Sequence, residues 1–259
     1  MAERPRRGRP RLGRSEAPAQ GHRERDPVRQ PHRRAAASPA PRLPTPQTVY
    51  WYFAAWNRDG TAERLHGLLR AKTRKAAGRA VRPGAAIADA QSVKTAANVP
   101  ERAQGIDAGK RIKGRKRHIV TDMLGLVLAV IVTAASVSDT AGGRALVDRI
   151  AADHPSVAAL LVDNGYRVSV AQHAHAAGID LVVTPKPGQA KGFEPTPRWP
   201  VERTFGWFIQ HRRLARDYET LPERSAAHIH WAMIDLMSRR LSGRTELSWR
   251  PPVETDKSA

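Results

Sequence analysis

Two short apolar runs, each ended by a carboxylate, limit what this chain can fold into. Ala85–Ala88 is followed by Asp89, and the run within residues 156–162 is followed by Asp163. A buried strand that ends in a carboxylate holds the charge rigidly at the rim of a sheet. For one isolated Asp, a simple turn cap is the better explanation. The repetition favours two strands of one sheet that present acidic groups at its rim.

The remaining periodicities predict three strands joined by short loops, followed by strands that alternate with helices. The expected strands are 85–88, 110–122, 126–137, 156–162 and 180–184, and the expected helices after them are 138–153, 169–177, 199–216 and 222–241. Short loops indicate an antiparallel meander, and helical connections indicate parallel crossovers. We therefore predict an α/β fold with a mixed five-stranded sheet between helices. This order is that of the ribonuclease H-like fold.

The composition divides the chain into four regions. Residues 1–46 hold 12 Arg and 9 Pro, and we expect this segment to be disordered because it has few large apolar side chains to bury. A cationic arm on DNA and a leader without function are both open interpretations. Residues 47–82 are predicted to be a helical DNA-binding remnant with a linker, although plain core packing also explains their aromatic cluster. Residues 83–242 would be the catalytic domain, and 243–259 a loose tail.

The charge of the chain favours a polyanionic partner. There are 44 Lys and Arg against 24 Asp and Glu, which gives a formal net charge of +20. Cysteine is absent, which fits a reducing cytoplasm. No apolar run approaches a membrane span, and the basic N-terminus lacks the apolar core of a secretory signal. We therefore expect a cytoplasmic protein without a membrane partner.

A dense basic stretch stands between the two acidic positions. Six of the eight residues 110–117 are Lys or Arg, and their alternation predicts a strand with one basic face. We interpret it as an edge strand that contacts phosphates, although a solubilising edge strand would look the same. The predicted DNA contacts here and elsewhere are Lys94, Lys110, Arg111, Lys113, Arg115, Lys116, Arg117, Tyr166, Arg198, Arg212 and Arg213.

Four segments together carry a family resemblance that extends from about Thr48 to Leu241. They are IADAQSVKT, GIDAGKRIKGRKRHIVTDMLGLVLAVIV, LVDNGY and RWPVERTFGWFIQHRRL. The chain resembles insertion-sequence transposases of the IS-five family, within the IS-four-like DDE group. The resemblance implies that Asp89, Asp163 and Glu202 are catalytic and bind metal. It also assigns DNA-contact roles to Arg198 and Tyr166.

The chain departs from the family pattern in two places. A related signature has a Lys seven residues after the Glu, where this chain has Ile209, so Arg212 or Arg213 takes that role or it is unfilled. The family also has a fuller helical N-terminal domain where this chain has the Arg- and Pro-rich residues 1–46. The second departure puts autonomous transposition in doubt.

The resemblance implies a metal-dependent reaction on DNA. Three carboxylates without Cys favour two Mg²⁺ (or Mn²⁺) ions, which would support cleavage at the ends of the element and strand transfer into target DNA. The expected partners are the inverted-repeat ends and target DNA, with a homodimer or higher multimer assembled on the nucleoid. The alternatives are a decayed or repurposed relative that binds DNA without turnover, and a nuclease of the same fold.

Other titratable residues are weaker candidates for a site. His173 with His175, and His228 with His230, are two residues apart, which does not bring them to one face of a helix. We expect Asp107, Asp122 and Asp139 to serve as caps, turn residues or charge partners.

Overall fold

The computed structural model of the chain describes residues 43–166, 169–184 and 197–244. The predictions for residues 1–42 and for the tail from residue 245 lie outside the described residues. The described residues from Pro44 onward form one compact unit. No helix in the described ranges is long and apolar enough to cross a membrane.

The described chain contains six helices and six strands. The helices are α1 (Pro46–Arg58), α2 (Thr61–Ala76), α3 (Asp139–Asp153), α4 (Ser169–Ala176), α5 (Trp199–Ile209) and α6 (Pro222–Leu241). The strands are β1 (Ala85–Lys94), β2 (Gly105–Asp107), β3 (Ile112–Asp122), β4 (Val127–Ala134), β5 (Ala159–Val162) and β6 (Asp180–Val183).

The sheet has β1 at its centre and mixes antiparallel with parallel pairs. β1 pairs antiparallel with β3 on one side and parallel with β5 on the other. β3 also pairs antiparallel with β4 and, at its start, with the short β2, while β5 pairs parallel with β6. The predicted α/β fold and its five strands are confirmed. β2 is an addition, since we expected a loop there.

Each face of the sheet carries its own apolar core, because side chains alternate along β1. Ala86 and Ala88 pack with Leu146 and Ile150 of α3 and with residues of α4. Ile87 lies on the opposite face, in a core built from α5 and α6. Helices therefore cover both faces, as predicted.

Two boundaries differ from the sequence prediction. β1 does not end at Ala88 but continues to Lys94, because its polar second half pairs with β3 along its whole length. α5 ends at Ile209 rather than near Arg216, so Arg212 and Arg213 lie in the turns that follow the helix.

The basic stretch does not form an edge strand, and this prediction was wrong. β3 lies between β1 and β4, and both of its faces are covered. The side chains of Arg115 and Arg117 are buried, and Lys116 is nearly so. Because their side chains are buried, they do not form a surface for phosphates.

Candidate active site

Asp89 and Asp163 are brought together by the parallel pairing of β1 with β5. The last paired residues are Ile87 and Leu161, and each aspartate stands two residues further along its strand direction. Side chains two residues apart share a face, so both carboxylates lie on the face that packs against α5. The pairing places them level at the carboxyl end of neighbouring strands.

Local hydrogen bonds orient both aspartates. The Asp89 Oδ1 accepts from the backbone N–H of Ala90 at 2.7 Å. The Asp163 Oδ1 accepts from the backbone N–H of Gly165 at 2.8 Å, within the short 3-10 turn that follows β5. One oxygen of each carboxylate is thus fixed by backbone.

Glu202 reaches the same place from the first turn of α5. The helix is anchored by the buried side chains of Val201, Phe205 and Phe208. Thr204 adds a hydrogen bond from its hydroxyl to the carbonyl of Gly125 at 2.7 Å. These contacts fix the N-terminal end of α5 on the sheet and leave Glu202 half exposed at the rim.

A single guanidinium joins the three carboxylates. Arg198 Nη1 lies 3.8 Å from Asp89 Oδ2 and 3.8 Å from Asp163 Oδ2, and Arg198 Nη2 lies 3.8 Å from Glu202 Oε1. The Arg198 side chain is only 15% exposed. Three acidic groups from three separate elements therefore surround one cation.

Burial makes Asp89 the least acidic of the carboxyls for which a shift is resolved. Loss of water around it raises its pKa from 3.8 to about 6, although the Ala90 N–H, Arg198 and Lys110 favour the charged form. The carboxylate of Asp163 acts in the same direction as burial. A cation placed at this rim would offset both effects, since it stabilises the ionised carboxylate.

The three side chains offer only carboxylate oxygens, and the chain has no Cys. Carboxylate oxygens are the ligands that hard divalent cations prefer, so the chemical type of the ligands fits such a cation. Within residues 43–166, 169–184 and 197–244, however, no three His, Asp or Glu side chains already surround one metal position. The positive charge shared by the three acids in this structure is that of Arg198.

Tyr166 does not reach the surface, which corrects its predicted role as a DNA contact. It is 1% exposed, and its ring packs so closely on α3 that a Cβ built on Gly143 would lie 2.6 Å from it. Among the described residues its hydroxyl has no hydrogen-bond partner, and burial followed by the charge of Asp89 raises its pKa well above 10. Tyr166 therefore supports the turn that carries Asp163.

The other predicted DNA contacts divide into exposed and buried groups. Those exposed are Lys94, Lys110, Arg111, Lys113, Arg212 and Arg213. Lys110 lies beside the acidic site, since its ammonium donates to the carbonyl of Ala90 at 3.2 Å. The buried members Arg115, Lys116 and Arg117 are excluded from direct contact with DNA.

The buried cations bind groups that are distant in sequence. Arg117 Nη1 donates to the carbonyl of Leu214 at 2.7 Å, and Arg115 Nη1 donates to that of Glu219 at 2.7 Å. Lys116 lies 3.0 Å from Asp139. A local pattern of alternating charge gives no information about such partners.

Comparison with known proteins finds similarity to transposases. Two family models, each described as a transposase DDE domain, match residues 82–193 and 160–237. The chain is also 34% identical over 133 residues to the putative transposase for insertion sequence element IS402 of Burkholderia cepacia, a match that covers 48% of this chain. It spans 60% of the length of that relative. DDE domains generally use divalent metal ions. Across residues 82–237 the chain therefore matches the transposase DDE domain.

Proposed function

We propose that this protein catalyses metal-dependent DNA cleavage at the ends of a mobile element and transfer of the freed strand into target DNA. The observation that carries the proposal is the meeting of Asp89, Asp163 and Glu202 around Arg198, at distances of 3.8 Å. Three acids from three elements would repel one another unless cations lie between them, and phosphoryl transfer needs such a cluster.

The metal is proposed to be Mg²⁺ or Mn²⁺, with two ions bound. When bound, divalent ions supply an activated water or 3′-hydroxyl and stabilise the leaving oxygen. The task of the protein is to position the ligands: β1 and β5 hold the two aspartates level, and α5 holds Glu202 across from them. We assign Asp89 as the shared ligand, because its side chain is the least exposed of the three, at 20% against 39% for Asp163 and 48% for Glu202.

The proposed partners are the inverted-repeat ends of the element and its target DNA, bound by a homodimer or higher multimer. The net charge of +20 and the exposed cations beside the site support a polyanionic ligand. We further propose that the chain belongs to the IS-five family and acts at the nucleoid. Residues 83–242 would form the catalytic domain, with 47–82 as a helical segment, 1–46 as a disordered basic arm and 243–259 as a loose tail.

The test uses the purified full chain and a labelled duplex that carries the inverted repeat found beside its gene. Cleavage is followed with and without Mg²⁺ or Mn²⁺ for the wild type, Asp163→Asn and Glu202→Gln. We expect each substitution to lower the cleavage rate by at least about a thousandfold, since a metal ligand is lost. DNA binding in the absence of metal should change little.

Matched controls make the same chemical change outside the site. Asp180→Asn lies at the opposite end of the sheet, at the start of β6, and Glu223→Gln lies in the first turn of α6. Both side chains are exposed, and both variants should cleave like the wild type. Full cleavage by the Asp163 or Glu202 variants would overturn the proposal. Metal-independent binding without any cleavage by the wild type would favour a relative that only binds DNA.

A further inference from the structure

A second positively charged region lies beyond the acidic site, where β1 ends. We call it the basic groove. It encloses about 680 Å³ and is lined by Lys94, Thr95, Ala96, Ala97, Glu101, Gln104, Arg111, Lys113 and Arg216. Four of these nine residues are cations and one is an acid. Arg216 was not among the DNA contacts predicted from the sequence.

Most of the positive charge in the basic groove has no acidic partner. Lys94, Arg111 and Arg216 are exposed, and in the described part of the chain none of them forms an ion pair with a carboxylate. Lys113 does, at 2.8 Å from Glu101, but both side chains are more than half exposed. Such an exposed pair contributes little, so it can be exchanged for an external anion.

The backbone of Arg111 is held in an unfavourable conformation. Its φ is +55°, and Arg111 is the one described residue other than glycine with a positive φ. That region is unfavourable for a residue with a side chain, because the Cβ lies too close to the backbone. The turn is enforced by Asp107, which accepts from the Lys110 N–H at 3.1 Å and from the Ser92 hydroxyl at 2.5 Å. Strain of this kind is typical of functional sites.

The two sides of the basic groove are joined by a rigid contact. Thr95 forms a parallel bridge with Asp217, where the Asp217 N–H donates to the Lys94 carbonyl at 2.9 Å and the Ala96 N–H donates to the Asp217 carbonyl at 2.8 Å. Beneath it, buried Arg115 binds the Asp217 carboxylate at 3.3 Å. Lys94 and Arg216 are thereby held on adjacent chain segments before any ligand arrives.

The charge and the rigidity of the groove define its ligand. Three of its four cations are exposed without a carboxylate partner among the described residues, and the bridge between Thr95 and Asp217 holds two of them in place, so the groove fits an extended polyanion. Duplex DNA is such a ligand, with one phosphate per ~3.4 Å on each strand. We propose that the basic groove binds the phosphate backbone of duplex DNA outside the acidic site. This inference rests on the proposed function.

The test measures binding of a 20-base-pair duplex without divalent metal, by fluorescence anisotropy over a range of salt concentrations. The groove variant is Lys94→Glu with Arg216→Glu. The control variant is Arg58→Glu with Arg144→Glu, two exposed cations at the end of α1 and on α3. Both variants lower the net charge by four, so they differ only in where the charge changes.

We expect the groove variant to bind more than about tenfold more weakly at 0.1 M salt, with the salt slope reduced by about two, as for two lost phosphate contacts. The control variant should lose only the smaller, general contribution of net charge. Equal losses in both variants, or no loss in the groove variant, would overturn the proposal.

A second arm locates the contact on the DNA. Neutral methylphosphonates are placed one position at a time along the duplex, and those at the contact should weaken wild-type binding and add nothing to the groove variant. Equal weakening of both proteins at every position would also overturn the proposal. Because these measurements require no cleavage, their outcome is separate from that of the carboxylate variants.

Discussion

Asp89 and Asp163 stand level on neighbouring parallel strands, two residues beyond the last paired residues Ile87 and Leu161. β5 has ended at that point, while β1 continues because β3 still pairs with it. The sheet therefore has a step at its rim, and both carboxylates line this step. The guanidinium of Arg198 lies beside both carboxylates, so its removal tests whether they bind a metal ion.

Arg198→Ala should bind Mn²⁺ more tightly than the wild type, by about tenfold. The substitution removes a positive charge that lies 3.8 Å from each of the three acids, so that a metal ion no longer competes with it. Calorimetric titration of the full chain with Mn²⁺ measures this affinity without DNA. Arg198→Lys keeps the charge and should bind close to the wild type. Weaker Mn²⁺ binding by Arg198→Ala would show that Arg198 helps to build the metal site instead.

Gly143→Ala should reduce both stability and cleavage. A Cβ at this position would lie 2.6 Å from the Tyr166 ring, and Tyr166 ends the turn that begins just after Asp163. Either the ring or α3 must move, which typically costs about 1–3 kcal/mol. The free energy of unfolding in urea and the cleavage rate measure the two effects.

The control for this change is Gly206→Ala in α5, where an added Cβ meets nothing within 4 Å. It should raise the free energy of unfolding by about 0.5–1 kcal/mol, since alanine favours a helix interior. If the two alanine variants behave alike, the packing of Tyr166 does not position Asp163.

The sequence was sufficient to predict the parts of the site that depend on local pattern. Apolar runs, and the alternation in residues 110–122, located the five strands, and the ends of two of these strands located Asp89 and Asp163. The family resemblance added Glu202 and Arg198, which the structure places beside them. Strands, helices and the residues at their ends can be predicted because hydrophobic periodicity depends on residues that are close together in the sequence.

What the sequence did not reveal depends on partners far along the chain. Arg115 and Arg117 look like surface cations, yet their hydrogen-bond partners lie about one hundred residues later, at Leu214, Asp217 and Glu219. The polar half of β1 resembles a loop, but Ser92 is buried because it donates to Asp107. Long-range contacts of this kind override local polarity, and only the fold supplies them.

His118 should make the protein less stable in mild acid. The ring is fully buried against Gly142, and its Nε2 lies 3.0 Å from the Thr133 hydroxyl. Its Nδ1 has no hydrogen-bond partner in the part of the chain that the structure describes. Burial lowers its pKa from 6.5 to about 4, with Asp139 opposing and with Lys116 and Lys110 adding to the effect. Between pH 6.5 and about 4 the folded state therefore binds fewer protons than the unfolded state, and the free energy of unfolding falls as the pH is lowered. The stability that depends on a neutral His118 is fully present above pH 6.5 and is lost as the pH falls through about 4.

A shift of this size corresponds to about 3 kcal/mol. Urea unfolding at pH 7.5 and at pH 4.5 should therefore differ more for the wild type than for His118→Asn. The comparison between the two proteins isolates His118, because the lowered pKa values of His66, His154 and His230 affect both equally. An identical pH dependence in the two proteins would contradict the assignment.

Arg115→Ala should destabilise the fold by about 3–5 kcal/mol, because it leaves the Asp217 carboxylate buried without its cation. Arg115 also donates to the carbonyls of Ala103, Glu219 and Thr220, so its loss leaves those acceptors unpaired. The double variant Arg115→Met with Asp217→Asn removes both charges and keeps an uncharged side chain at each position. It should recover part of the loss, and the cycle of single and double variants in urea measures the coupling between the two residues.

Since this pair supports the bridge between Thr95 and Asp217, Arg115→Ala should also weaken DNA binding. If the basic groove is the binding surface, Arg117→Met should leave DNA binding unchanged. If Arg115→Ala has the same midpoint of unfolding in urea as the wild type, the buried pair stabilises neither the fold nor the basic groove.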